Sequence, residues 1–444
     1  MTRAAVLFLA APLLAAELKV ATFQADVTPP LGTPLCFALV KPGVEVVDPL
    51  TARGVVLMGA GQPIVLAAVD WLGISNESHD AWRRGLAKAA GTTPDRVTVH
   101  VLHQHDAPGH DDTASRLARE HGMPNSLQDD AFMAAALKRT AAAVRKARRQ
   151  ASPVTHVGVG GSRVEQVASN RRILGPDGKV KVTRMSSSRI PEAVSAPEGT
   201  IDPELRIVSF WNGSKPVAAI TYYATHPQSH YGKGGIGWEF VGMARAAREK
   251  ALGVPHVHFN GASGNVAAGK YNDGAPENRA RLASRIEAGM KGAWDSMEKS
   301  AVTAADVQWK TLPVTLPLRD TVDAKKLLAV VSDPVAKQAD RLRSARDLAW
   351  ARRMESGHEI QLSRLRIGPA ESIYLPGELF IEYQIAARKI RDGKLAVAAY
   401  GDLGPGYIGT RIAYGQGGYE TSVVSRTAPE VEDVLLSAIR RLLE

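Results

Sequence analysis

Short apolar runs and longer amphipathic segments alternate along the chain, and their periods predict a succession of strands and helices. The runs 54–60 (GVVLMGA) and 63–74 (PIVLAAVDWLGI) predict paired strands joined by a turn at Gly61. Segment 76–91 follows with Asn76 as its cap and Gly91 as its stop, a helix pattern. Residues 128–149 are rich in alanine, acidic at the start and basic at the end, the order that a helix dipole favours. Further strands are predicted at 155–164, 205–211, 216–226, 256–265, 360–368, 371–378 and 395–402. Helices are predicted at 240–253, 276–297, 333–355 and 428–444. Residues 169–203, rich in Arg, Ser, Pro and Gly, predict a long, exposed, ordered loop. The pattern as a whole predicts a mixed α/β fold, with mixed β-sheets flanked by helices in one unit over residues 17–444.

One stretch concentrates chemistry. Residues 97–112, VTVHVLHQHDAPGHDD, hold four of the chain's 12 histidines. Val97, Val99 and Val101 alternate with Thr98, His100 and Leu102, a strand period. His103 and His105 continue the valine parity, so both rings are expected on the valine face just beyond the strand. Pro108 and Gly109 then impose a turn. Two imidazoles at the carboxyl end of a strand make a metal or catalytic candidate. His110, Asp111 and Asp112 are expected in a solvated loop.

Three later stretches repeat this arrangement of a strand followed by a polar turn. His226 directly follows a strand and precedes Pro227. Glu378 follows a strand at the first turn of a helix. The segment after the 395–402 strand carries Tyr407, Tyr414 and Tyr419. Enzyme zinc sites use three or four N and O ligands and keep a position open. The strand-end pattern selects the two histidines and the glutamate and leaves the tyrosine open.

Composition narrows the partners. Apolar content of 45% and charged content of 23% suit a globular chain. The net charge of +10 is spread thinly, with no basic block interleaved with aromatics, so nucleic acid is not an expected partner. At the N-terminus, Arg3 precedes the apolar run 4–14, too short to span a bilayer, and LLAAE offers a cleavage site after Ala16. Residues 1–16 are expected to be a signal peptide, and the protein to be secreted or periplasmic. No later run predicts a membrane span. Cys36 is the only cysteine, which excludes an internal disulfide, and it is expected to behave as a small buried hydrophobe.

The ordered motifs resemble the neutral/alkaline non-lysosomal ceramidase family over nearly the whole mature chain. ADVTPP (25–30) resembles the family's Asp-Ile-Thr-Pro-Pro, and HQHDAPG (103–109) its His-Thr-His-Ser-Gly-Pro-Gly. SNRR (169–172) resembles Asn-Arg-Ser, THPQS (225–229) the His-x-Thr-Ser element, and WEFVG (238–242) Ser-Asp-Phe-Pro-Gly with Glu239 as the acid. PGE (376–378) matches outright, and Tyr407, Tyr414 and Tyr419 keep the family's tyrosine spacing.

The resemblance implies a zinc ion held by His103, His226, Glu378 and Tyr407. It implies His105 and Arg171 as catalytic groups, with Arg171 on the substrate side to hold a carbonyl or oxyanion. Tyr419, Asn265 and Ser263 are the accompanying substrate-binding candidates. Two departures stand out. The family's catalytic serine position is occupied by Ala267, followed by Ala268 in place of proline, and the chain ends at a helix, so no C-terminal immunoglobulin-like domain is expected. The expected activity is therefore cleavage of an N-acyl amide bond, in a small or lipid-like substrate, by metal-activated water. The alternatives are a metal-dependent hydrolase of esters or sugar derivatives, and a non-catalytic metal-containing binding protein. Peripheral membrane contact is compatible with a lipid-like substrate, and the oligomeric state is left open.

Overall fold

The computed structural model describes residues 17–391 and 394–444; the expected signal peptide, 1–16, lies outside them. Two five-stranded sheets and one four-stranded sheet carry the fold, with helices between and around them. The first sheet contains β1 (Lys19–Asp26), β2 (Thr51–Gly59), β3 (Gly61–Val69), β4 (Val97–Val101) and β5 (Ser152–Pro153) in the order β4-β3-β2-β1-β5. The second contains β6 (His156–Arg163), β7 (Glu204–Asn212), β8 (Lys215–Tyr223), β9 (His256–Asn260) and β10 (Glu298–Ala301) in the order β9-β8-β7-β6-β10. The third contains β11 (Val307–Val314), β12 (Ile360–Ile367), β13 (Ala370–Tyr374) and β14 (Ala396–Ala398), in sequential order.

A common unit recurs in all three sheets. An antiparallel hairpin (β2-β3, β7-β8, β12-β13) leads through a helix into a strand parallel to its second arm. The crossover helices are Asn76–Ala90, Glu239–Leu252 and Ile381–Ile390. Parallel pairing requires such a crossover, because a tight turn only joins antiparallel strands. The parallel strands read as continuous buried runs, both faces being covered.

The three parallel strands converge at their carboxyl ends. Val101 N donates to Tyr400 O at 3.0 Å, Ala399 N to Asn260 O at 2.9 Å, and Asn260 Nδ2 to Leu102 O at 2.5 Å. These bonds close a ring between the three sheets. Trp71, Trp82 and Trp350 are fully buried, and Trp71 meets Trp82 edge-on at 5.3 Å.

Several expectations need correction. Asn76 does not cap its helix through its side chain. Ser75 precedes the first turn, Asn76 has φ +55, and its amide donates instead to Asp111 Oδ2 at 2.8 Å. Residues 169–203 are not one exposed loop. They contain short strands at Ser169–Asn170, Arg172–Leu174 and Val180–Thr183, a helix at Pro191–Ser195, and the buried Arg171, Arg184 and Ser186. His110 and Asp111 are also buried. Asp111 caps the helix Asp112–Glu120 by accepting from Ala114 N at 3.0 Å, and His110 accepts from Trp82 Nε1.

Candidate metal centre

His103 lies two residues beyond β4, at the convergence of the sheets. The strand parity does not carry to it. Leu102 N already bonds Val69 O, His103 N bonds Trp71 O at 2.9 Å, and His103 takes φ +72. This left-handed step turns His103 inward (3% exposed), while His105 stays half-buried with its ring 5.6 Å away and perpendicular. His226 follows β8, and Glu378 follows β13. Glu378 and Tyr407 are opposite partners in a two-residue parallel ladder, so their Cα atoms are in register.

The donor atoms converge. His103 Nε2 and His226 Nε2 each lie 3.2 Å from Glu378 Oε2, and His226 Nε2 lies 3.2 Å from the Tyr407 hydroxyl. The ligand-type atoms of His103, His226 and Glu378 all fall within 4.8 Å of one another, and the three residues are buried. His103 Nδ1 faces Leu72 O at 2.7 Å, and His226 Nδ1 faces Ser263 O at 2.6 Å. A carbonyl only accepts, so each Nδ1 carries the proton and each Nε2 presents a lone pair. Burial holds His226 below its usual pKa, and its ring is neutral at pH 7.

Acceptors therefore face acceptors across 3.2 Å, and His103 Nε2 is buried with no hydrogen-bond partner. A cation held between them would resolve that conflict. Ligands at about 2.0–2.1 Å from a tetrahedral zinc stand roughly 3.3–3.4 Å apart, close to the spacing seen. Carbonyl partners behind the metal-facing histidines are the usual device for fixing tautomer and ring orientation.

Other side chains frame this cluster. Arg171 is buried, donates from Nη1 to the Tyr407 hydroxyl at 3.2 Å, and lies 3.1 Å through Nε from Glu420 Oε1. Arg172 binds the other oxygen of Glu420. Burial and the charge of Glu378 push the Tyr407 hydroxyl well above its usual pKa, and Arg171 opposes that rise. Tyr419 meets the Tyr407 ring edge-on at 5.7 Å and lies under the Arg171 guanidinium. The Ser263 hydroxyl pairs with the Tyr400 hydroxyl at 2.7 Å. The Asn265 amide is taken up at the start of the helix Ile381–Ile390, accepting from Ile381 N and donating to Glu382. Ala267 is fully buried and pairs with Ser169 in a short ladder.

A cavity of about 310 Å³ opens beside the donors. His103, His105, Glu378, Tyr407 and Tyr419 form its polar end; Arg171, Ser263 and Asn265 are not in its lining. Cys36, Phe37, Leu72 and Leu342 contribute apolar wall. Cys36, Phe37 and Ala38 have φ of +50, +53 and +64, a left-handed turn costing about 1–2 kcal/mol per residue. The Cys36 thiol is buried and pushed up to about 12 by desolvation.

Sequence reasoning missed Tyr400. It has φ +60, its ring lies 4.7 Å from that of His103, and its hydroxyl holds Ser263, whose carbonyl orients His226. Nothing in the apolar run 395–400 distinguishes it from a core tyrosine. Gln228 was also missed; its Nε2 donates to His103 O at 2.8 Å.

The solved structures supply the comparison. The crystal structure of neutral ceramidase from Pseudomonas aeruginosa superimposes with a TM-score of 0.70 at 16% identity, over 96% of this chain and 74% of that one. A structure described as ceramidase complexed with C2 gives a TM-score of 0.69 at 14% identity, over 96% of this chain and 75% of that one. The chain has the fold of the neutral ceramidase structures. Neither a protein-family model nor a curated protein matches it. Among the described residues, no helix is long and apolar enough to cross a membrane.

Proposed function

We propose that the protein is a zinc-dependent hydrolase of N-acyl amide bonds. The observation that carries this reading is the set of buried lone pairs on His103, His226 and Glu378, aimed at one point on the edge of a largely apolar cavity. The ceramidase fold supports an acyl-amide substrate. Bound zinc would polarise the acyl carbonyl and acidify a water molecule.

The chain's own residues do the rest. Leu72 O and Ser263 O hold the two imidazoles in one tautomer. Arg171 positions the Tyr407 oxygen as the fourth donor and favours its ionised form. His105 stands at the cavity wall against Tyr231 at 4.6 Å, and burial with the neighbouring histidines lowers its pKa well below the usual value. It is thus neutral at pH 7 and a weak base, so a proton it takes on a ring nitrogen is readily passed on to the departing amine. The cavity wall shields an acyl chain from water. The N-terminal segment supports export, with Glu17 as the first residue of the mature protein.

The test is metal analysis of the purified protein, with N-acyl and ester substrates screened with and without a chelator. One zinc per chain and chelator-sensitive amide cleavage are expected. A metal-free, active enzyme refutes the reading, as does a zinc-loaded protein inert toward every acyl amide. Cleavage of esters alone assigns the other acyl class.

A further inference from the structure

The wall of the cavity carries a cation that the metal chemistry does not use. Arg346, on the helix Gln338–Glu355, lines it, with its guanidinium carbon 3.8 Å from the centre of the Phe37 ring. Among the described residues no carboxylate forms an ion pair with Arg346, and its Nε is buried without an acceptor. The nearby acids are engaged elsewhere. Asp347 holds Arg426 at 2.6 Å, Asp340 holds Arg343 at 2.7 Å, and Asp111 accepts from Asn76 and Ala114. Arg343 and Arg426 line the same cavity, so the lining is cationic on this side. Burial and Arg426 push Arg346 down to about 10, which leaves it charged at pH 7.

The seat under Arg346 is built rather than incidental. Phe37 sits on the left-handed turn described above, and a side chain at Gly109 would meet its ring at 2.5 Å. Arg346 is half-buried, and its buried Nε, which no acceptor in the protein reaches, is costly unless an anion entering the cavity completes it. Arginine is also the side chain best shaped to receive a carboxylate through two parallel bonds.

We propose that this cavity takes an acyl compound bearing a carboxylate, and that Arg346 is the residue that selects it. The position of the scissile carbonyl at the His103–His226–Glu378 end rests on the hydrolase reading; the carboxylate site does not. The carboxylate belongs either to an N-acyl amino acid substrate or to a free fatty acid product, and the two are separable.

Binding of decanoate and decanol to the full, metal-stripped protein is measured by calorimetry. Stripping removes the metal as a competing carboxylate partner. Decanoate is expected to bind at least tenfold more tightly, Arg346→Gln to reduce that ratio to within about threefold, and Arg346→Lys, which keeps the charge but not the paired donors, to give an intermediate ratio, which excludes loss by misfolding. Equal affinities, or a preference untouched by Arg346→Gln, overturn the proposal. On zinc-loaded protein, N-decanoylglycine is expected to show at least a tenfold lower KM than N-decanoylglycinamide at similar kcat, an advantage lost in Arg346→Gln. A decanoate preference with no difference between the two amides overturns the substrate assignment and leaves Arg346 as a product site. Failure to cleave either amide overturns the substrate assignment, while the wider amide screen decides the hydrolase reading and the binding arm decides for or against Arg346.

Discussion

Asp70→Asn should destabilise the protein and loosen the metal centre together. Asp70 is fully buried and holds the equally buried Arg245 through both oxygens, at 2.5 and 2.9 Å. It also accepts from Thr51 N at 2.9 Å and Thr51 Oγ1 at 2.6 Å. The neutral amide strands Arg245 near Arg53 with no charge to balance it. Breaking one side of a buried pair costs about 3–5 kcal/mol. With an unfolding entropy of roughly 2.1 cal/mol/K per residue, a chain of this size loses about 3–5 °C in melting temperature. The same segment supplies the Leu72 carbonyl that orients His103 and the Trp71 carbonyl that fixes its backbone. Zinc affinity should therefore fall about 10–100-fold, the usual consequence of disturbing a ligand's partner. The pH profile carries the sign. Burial raises the Asp70 pKa, but Arg245, Arg53 and Thr51 outweigh it and set the folded value below the usual one. The carboxylate's stabilisation is then fully present above about pH 4 and disappears as pH falls through the depressed folded value. The gap between wild type and Asp70→Asn should be constant from pH 7 to 5 and shrink below pH 4. Calorimetric melting across that range decides it, with Asp70→Leu/Arg245→Met as the control expected to recover part of the loss. A melting change under 1 °C in Asp70→Asn, or a gap that widens in acid, would refute the reasoning.

Gly264→Ala should weaken zinc binding at least tenfold in a competition with a chelating dye, because the new Cβ would lie 2.2 Å from Glu378 O in a backbone approach already fixed by Gly264 N to Leu379 O; unchanged affinity refutes that link. Cys36 should react with a thiol reagent at pH 8 roughly a thousandfold more slowly in the folded than in the unfolded protein, given its thiol pushed up to about 12; comparable rates refute its burial. His105→Ala should lower amide cleavage about 100-fold or more, whereas Ala267→Ser should change it less than about threefold. A large gain from Ala267→Ser with His105→Ala still active would overturn the assignment of proton transfer.

The hairpins were legible because their apolar runs and Gly-bearing turns are local signals; β2 and β3 pair about the predicted turn, and the helix Asp130–Arg148 falls inside its predicted range. The donors were legible for a related reason. His226 and Glu378 each stand past a strand beside a residue that breaks it, Pro227 and Gly377, and His103 stands past a strand ahead of the turn at Pro108. What escaped was burial of charge. Arg184 is 1% exposed because its guanidinium satisfies backbone carbonyls of Asn170, Ala193, Ala196, Pro197 and Glu198, so an arginine-rich stretch that reads as solvated is folded around its own cations. The left-handed steps at His103 and Tyr400 escaped as well, since periodicity counts residues and does not register a reversal of φ.

The three recurring units explain why residues 103, 226 and 378 meet at all. Each hairpin–helix–strand unit presents side chains just past a strand's carboxyl end, where backbone pairing stops and the chain turns. The bonds Val101–Tyr400, Asn260–Ala399 and Leu102–Asn260 tie those ends to one another, so the units cannot separate without breaking two main-chain bonds and the Asn260 side-chain bond at the centre. The first unit gives His103, the second His226, and the third Glu378 with Tyr407 in register beside it. Their partners Leu72 O and Ser263 O come from the end of the neighbouring parallel strand in the same unit. Donor spacing is thus set by the sheets' closure and by main-chain carbonyls, both indifferent to most side-chain identities. This is a physical route by which the fold can persist at 14–16% identity while the wall of the cavity, including Arg346, is free to change.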